Sequence, residues 1–351
     1  GDQAGEVQAQ APLSFNGSFH SVSLGLSHAV AVRSDGVVVG WGSNSVGQLA
    51  GGSQQAMHPF GAATVASFVP IGEPVVGVAA GLDHTCVLRA SARVTCFGQN
   101  TRAQLGSGDT QNFGDDDSHL SQLSSRTVNI GLVADLVTAE RVTCAVRVDT
   151  TVVCWGQNGD RLGVVTGTLN GAHLGNSPGD LTPSTRALLT PGFVRVFVGA
   201  KHACALREDG AVRCWGENLH GELGVQSNAL PVGLHNDQLE QGRAYWWGGR
   251  VVDMALSSHA TCVLRDDASL KCLGRGAGGL LATGSLQDVN TGDSTYDVEQ
   301  SRVTHLYASQ VMVRPRANSR LVDLECGLGK ACCGISPLGH LLCFGEGYGT
   351  G

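Results

Sequence analysis

His202-Ala203-Cys204-Ala205-Leu206-Arg207-Glu208-Asp209-Gly210-Ala211-Val212-Arg213-Cys214-Trp215-Gly216 reads as a β-hairpin. Glu208-Asp209-Gly210 makes a three-residue loop, with Gly at the position that has to turn left-handed. Residues on either side of Asp209 then pair symmetrically. Cys204, Leu206, Val212 and Cys214 share one face, and Ala203, Ala205 and Ala211 share the other. Both faces carry apolar or small side chains, so both have to be covered.

The pattern recurs along the chain. Further copies end at Trp41-Gly42, Phe97-Gly98, Trp155-Gly156, Leu273-Gly274 and Phe344-Gly345, six in all with a period of 56 to 60 residues, stretched to 71 in the last. A second signature follows the aromatic-Gly: Ser43-Asn44 to Gly47-Gln48-Leu49, Gln99-Asn100 to Gln104-Leu105-Gly106, and Glu217-Asn218 to Gly221-Glu222-Leu223-Gly224. Self-similarity at such a period marks a repeat architecture. Sheets that need cover on both faces and repeat in series are blades, so the fold expected is all-β, a closed β-propeller. No stretch shows the 3.6-residue apolar period of a helix. Six blades are expected, with a degenerate seventh left open. Residues 1–351 read as one propeller domain, in which the termini, about 1–28 and 346–351, jointly complete one blade.

Four of the hairpins carry cysteines ten residues apart: Cys86/Cys96, Cys144/Cys154, Cys204/Cys214 and Cys262/Cys272. Directly opposed hairpin positions bring Cα atoms within disulfide range. The first repeat has Val30 and Gly40 there, both partners missing together, as pairing requires. In the last repeat Cys343 can pair with Cys333 at the usual spacing or with Cys332, leaving Cys326 to take the remaining neighbour or stay free. Zinc would need short Cys knuckles, and there is no such set. Each closed loop of this size contributes roughly 2.5–3 kcal/mol by the chain-entropy relation. Several such links imply an extracellular, periplasmic or secretory setting.

These residues resemble the regulator of chromosome condensation repeat family, here in a secreted Cys-rich form. Its pattern is a Gly-x-Asn-x-x-Gly-Gln-Leu-Gly turn followed by a His-x-x-Ala-Leu, Asp-Gly, Trp-Gly hairpin. The resemblance implies a closed propeller, usually of seven blades. It also brings guanine-nucleotide exchange on a small nuclear GTPase, which stapled hairpins contradict, because that activity belongs to a reducing compartment. Members of the family also act as protein-interaction scaffolds and as a secreted inhibitor of a hydrolase.

Composition narrows the classes. With 42% hydrophobic residues, 15% charged residues and 50 Gly in 351, the chain has a core and many tight turns. A net charge of −7 with 23 thinly spread basic residues argues against nucleic-acid binding. No apolar run reaches 18 residues, so no membrane span is expected. The opening Gly1-Asp2-Gln3-Ala4-Gly5-Glu6 lacks the regions of a signal peptide, which implies a mature sequence or a signal upstream.

Chemical motifs are weak. His28, His84 and His202 occupy matching repeat positions, with His259 one residue off, and are expected to make hydrogen bonds inside their blades. Arg33, Arg89, Arg147, Arg207 and Arg265 recur before the hairpin turn as solvated or inter-blade ion pairs. Trp41, Trp155, Trp215, Phe97 and Phe344 read as packing. Tyr245, Trp246 and Trp247 fall outside the repeat and read as local packing, with a contact surface as the alternative. Asp115-Asp116-Asp117 lacks the spaced ligands of a calcium loop. Gly345-Glu346-Gly347-Tyr348-Gly349 has no helix after it to cradle a phosphate, and Gly327-Leu328-Gly329-Lys330 is too short for a P-loop. Asn16-Gly17-Ser18 is a glycosylation sequon. No catalytic residue, metal or cofactor is expected.

The function expected is therefore a non-enzymatic extracellular structural or assembly protein, at the cell surface or secreted, associating with itself or a protein partner. Insertions around Thr110–Ile130, Thr166–Pro191 and Leu286–Arg316 would supply the contacts. The alternatives are a secreted protein- or glycan-binding module or inhibitor, and, less favoured, a nucleotide exchange factor or an enzyme with an axial site.

Overall fold

The computed structural model describes residues 18–55, 67–157, 173–182, 189, 191–224, 247–267 and 269–275, and follows 323–326, 331–335 and 341–345 as backbone together with Cys332. Six antiparallel sheets run in chain order. The first comprises β1 (Phe19–Leu24), β2 (His28–Arg33), β3 (Val38–Gly42) and the short β4 (Ser67–Phe68). The second holds β5 (Val75–Ala80), β6 (His84–Arg89) and β7 (Val94–Gly98), and the third β8 (Val133–Ala139), β9 (Val142–Arg147) and β10 (Val152–Gly156). The fourth holds β11 (Phe193–Val198), β12 (His202–Arg207) and β13 (Val212–Gly216), and the fifth β14 (Val251–Leu256), β15 (Ala260–Arg265) and β16 (Leu270–Gly274). The sixth is β17 (Asp323–Cys326), β18 (Ala331–Ile335) and β19 (Leu341–Gly345). Apart from these strands, the described residues contain one turn of helix at Asp117–Leu120.

The repeat is kept in register as well as in order. Cys86, Cys144, Cys204 and Cys262 lie directly opposite Cys96, Cys154, Cys214 and Cys272, and Val30 lies opposite Gly40. The first strand of each of the first five sheets slips by one residue against the middle strand, at His20, Val76, Ala134, Val194 and Val252. Such a bulge increases twist. The aromatic-Gly signature has a steric cause. Gly42, Gly98, Gly156 and Gly274 have φ of 102–118°, and a Cβ on any of them would lie 2.3–2.6 Å from a carbonyl oxygen preceding the middle strand.

Each first strand packs on the first strand of the sheet before it, β5 on β1, β8 on β5, β11 on β8, β14 on β11 and β17 on β14. Apolar residues therefore meet between sheets. Phe97, Leu105, Ile130, Val153 and Trp155 form one cluster joining the second and third repeats, and Leu206, Leu223, Trp247, Met254 and Leu273 another joining the fourth and fifth. Of the stretches assigned to joint completion of one blade, residues 19–24 pair within the first sheet, while 1–17 and 346–351 lie outside the described residues.

Candidate functional site

The second signature is a self-bonded turn. Buried Asn44, Asn100 and Asn218 accept through Oδ1 from the backbone N–H of Leu49, Leu105 and Leu223 at 2.8, 3.0 and 2.9 Å. Gln48 and Gln104 accept through Oε1 from Val46 and Arg102 N–H at 3.0 and 2.8 Å. Their amide nitrogens donate to Ser43 Oγ and Gln99 Oε1 at 3.3 and 3.2 Å. The turn thus satisfies its own backbone while buried, as interior polar groups must.

The turn also supplies one half of the joint to the next repeat. Thr85 Oγ1 donates to Gln48 O at 2.8 Å and Thr143 Oγ1 to Gln104 O at 3.1 Å. A hydroxyl has one proton, so its remaining bond must be an accepted one. It comes from the histidine of the preceding repeat: His28 Nε2 to Thr85 at 3.0 Å and His84 Nε2 to Thr143 at 3.1 Å. His202 Nε2 lies 2.7 Å from Thr261 Oγ1 in the same way. These histidines bond across sheets, which corrects the blade-internal role expected from sequence. The reason is that each heads a middle strand, at the edge facing the next sheet. Burial pushes His28 down to about 4 and His84 and His202 to about 3, with His28 adding to the effect on His84 and His259 to that on His202. All three are neutral at ordinary pH. Where the histidine is absent its partner is too: Val142 faces the position of Ala203, and Ala260 that of Cys332. The threonines were not singled out from sequence, though this co-variation between successive repeats was there to find.

One joint departs from the pattern. At the fourth turn Glu222 replaces Gln and Glu217 stands at the place of Ser43 and Gln99, so two carboxylates meet where an amide elsewhere donates to an oxygen. Glu222 Oε2 accepts from His220 N–H at 2.9 Å, and burial pushes its carboxyl up to about 7, with the Glu217 charge acting in the same direction. Glu217 is ion-paired with Lys201 at 3.0 Å, and the His220 and His259 rings meet edge to face at 5.6 Å. This half-buried, partly charged cluster between the fourth and fifth repeats, with Glu222 at its buried end, is the place where the repeat has been altered chemically. Among the described residues no three His, Cys, Asp or Glu side chains are grouped to hold a metal ion.

The cysteines lie inside the sheets. Cys86–Cys96, Cys144–Cys154, Cys204–Cys214 and Cys262–Cys272 are disulfides with Cα–Cα distances of 4.0–4.1 Å. In the sixth sheet Cys333 is opposite Cys343 and Cys326 opposite Cys332, and Cys332 is disulfide-bonded. Trp247 packs locally and does not form the alternative contact surface. It is 2% exposed, because its indole fills the space between the fourth and fifth sheets beside Leu223 and Leu273. Tyr245, Trp246 and Asn16 lie outside the described residues.

Arg89 is a second correction, being neither solvated nor an inter-blade ion pair. Its buried guanidinium donates to the carbonyls of Leu123, Ser124 and Arg126 at 2.6–3.2 Å and pairs with Glu73 of its own repeat. It thereby ties down the insertion around Thr110–Ile130, which also buries Phe113, Leu123, Val128 and Ile130. Asp116 there caps the helical turn, accepting from Ser118 N–H at 2.8 Å.

The family model described as the regulator of chromosome condensation (RCC1) repeat matches residues 19–48, 75–104 and 193–222. The chain carries regulator of chromosome condensation repeats. The matched copies are the ones that hold His28, His84 and His202. The chain is 27% identical over 271 residues to the ultraviolet-B receptor UVR8 of Arabidopsis thaliana, covering 76% of this chain and 56% of the receptor. It therefore spans little more than half of that relative's length. Human WBSCR16 superposes with a TM-score of 0.68 at 19% identity over 95% of this chain and 77% of that one. Prp20p of Saccharomyces cerevisiae, studied for its binding to Gsp1p and histones, superposes with a TM-score of 0.56 at 18% identity over 88% and 80%. These likenesses give the RCC1 repeats of this chain an RCC1-like propeller fold.

Proposed function

We propose that the chain is a non-enzymatic structural or assembly protein of an oxidising, extracellular-type compartment, a rigid ring that associates with itself or a protein partner through the segments between its hairpins. The observation that carries this reading is the contrast within each repeat. Four sheets hold a cystine at one register, while the connections between hairpins vary in length and composition. A fixed frame with variable connections suits recognition rather than chemistry. In the sixth sheet the register favours Cys333–Cys343 and Cys326–Cys332 as the last two links.

A six-bladed closed ring within 1–351 is part of this proposal. Val22, Leu24 and Leu26 on the first sheet are 63, 73 and 68% exposed. The matching Val196 and Ala200 of the fourth sheet are 3 and 6% exposed, covered by the sheet before them. The sixth sheet is the segment that would cover the first, with residues 1–28 and 346–351 meeting at that joint. Ala331 and Ala29 would then face each other, keeping the rule that histidine and threonine are absent together.

Light scattering after size-exclusion chromatography, with negative-stain imaging, tests the function. Regular polymers or a stable complex of copies support assembly; clean monomers move the reading to a protein- or glycan-binding module or inhibitor. A non-reducing peptide map that returns Cys204 and Cys214 as free thiols overturns the compartment and would reopen nucleotide exchange.

A further inference from the structure

The blades and the joints of this molecule are held by different chemistry. Within a sheet the bonds are backbone ladders and, in the second to fifth sheets, a buried cystine, none of which titrates near neutrality. Between sheets, three joints set the Nε2 of a neutral imidazole against a Thr Oγ1, and the first two run one way: His Nε2–H to Thr Oγ1 and Thr O–H to the Gln carbonyl. That direction leaves Nδ1 bare. Nδ1 of His28, His84 and His202 is buried with no hydrogen-bond partner among the described residues. The rings of His28 and His84 lie against Gly25 and Gly81, where a Cβ would fall 2.4 and 2.5 Å from Nδ1. A proton added there enters a buried site with nothing to accept it, which is costly.

We propose that the His–Thr joints are acid-sensitive hinges, so that protonation of His28, His84 and His202 parts neighbouring sheets while each stapled sheet stays folded. This goes beyond the scaffold reading and does not depend on what the scaffold binds. The sign follows from the histidines' own equilibria. An open joint takes up its proton near 6.5, whereas a closed one resists it to about 4 or 3. Closure is therefore fully favoured above 6.5 and weakens as pH falls toward those values, by about tenfold per unit for each histidine.

Other titratable groups stand around these joints. The turns flanking the first two carry Asp83, Arg102, Glu140 and Arg141, and β8 carries Asp135, which burial pushes up and which accepts from Val196 N–H. The joint between repeats four and five adds Lys201, Glu217, His220, Glu222 and His259. Glu222 acts in the opposite sense, because acid neutralises it and removes a buried charge. The first two joints therefore open before that one.

Hydrogen exchange on the oxidised full-length chain, corrected for intrinsic rates, reads this directly. Ala80 N–H bonds to Ser23 Oγ across the first joint and Leu82 N–H to Glu140 O across the second. Both should exchange about 30-fold faster at pH 5 than at pH 8, with amides in the β6–β7 and β9–β10 hairpins unchanged. His84→Gln keeps a donor for Thr143 without a titrating ring and should abolish the effect at Leu82 alone. Equal acceleration of joint and hairpin amides would overturn the proposal, as would a pH response that survives His84→Gln. Should that variant fail to fold, NMR titration of the native imidazoles decides: His84 protonating near 6.5 with Leu82 still protected sinks it.

Discussion

The first and fourth sheets are built on the same frame and filled differently. In the fourth, Cys204–Cys214 links the middle and last strands. In the first, Val30 faces Gly40, and Leu49 from the following turn occupies the space, with Cδ2 only 2.8 Å from where a Cβ on residue 40 would sit. Val30 and Leu49 are fully buried. One sheet is closed by a covalent bond and the other by a leucine knob over a glycine. The register is the same in both, so the cystine does not create the hairpin. The strand pattern does, and the cystine reinforces it.

The largest expected effect comes from making the fourth sheet like the first. Replacing Cys204 and Cys214 together with Ala should lower unfolding free energy by about 3 kcal/mol in denaturant titration, with the β12–β13 register retained. A smaller effect distinguishes their turns. Glu222→Gln restores the amide of Gln48. Because the folded carboxyl is held up at about 7, against an ordinary 4.5, its ionised form disfavours the native state. Stability is thus lost as pH rises through this range. The variant should gain about 2 kcal/mol at pH 8 and little at pH 5.

Thr85→Val tests the joint that leaves the first sheet. It removes the acceptor of His28 and the donor to Gln48 O, and should cost roughly 2 kcal/mol in the same titration. Gly40→Ala should cost about 1–2 kcal/mol by crowding Leu49 and Val30, and a combined Leu49→Val change should recover part of it. The smallest effect concerns what the two sheets share. Gly36 and Gly210 close their hairpin loops at φ of 82° and 85°, whereas the second repeat has Ala92 there at 59°. Ala92→Gly should therefore stabilise by about 0.5–1 kcal/mol.

Much of this was legible from spacing. A three-residue hairpin loop and cysteines ten apart dictate which residues oppose, and the structure has that register at Cys86, Cys144, Cys204 and Cys262. Arg89 was not legible, and of Trp247 only its packing role was. Sequence neighbours say nothing about the distant carbonyls of Leu123 to Arg126, or about the gap between two sheets, that these side chains fill. The histidines were visible as a repeat, but their direction was not, because a residue heading a strand can turn inward or toward the next sheet.

Local chain chemistry alone determined the hairpins, the opposed cysteines and the glycines after each aromatic residue, since all of these depend on residues about ten positions apart or fewer, and the period followed from their recurrence. Tertiary structure decided the joints. Only when one repeat is laid against the next does His28 meet Thr85, or Glu222 enter the buried edge shared with the fifth sheet, because the His–Thr contacts span 57 residues or more of chain and all of them depend on sheet-to-sheet geometry that no local pattern encodes.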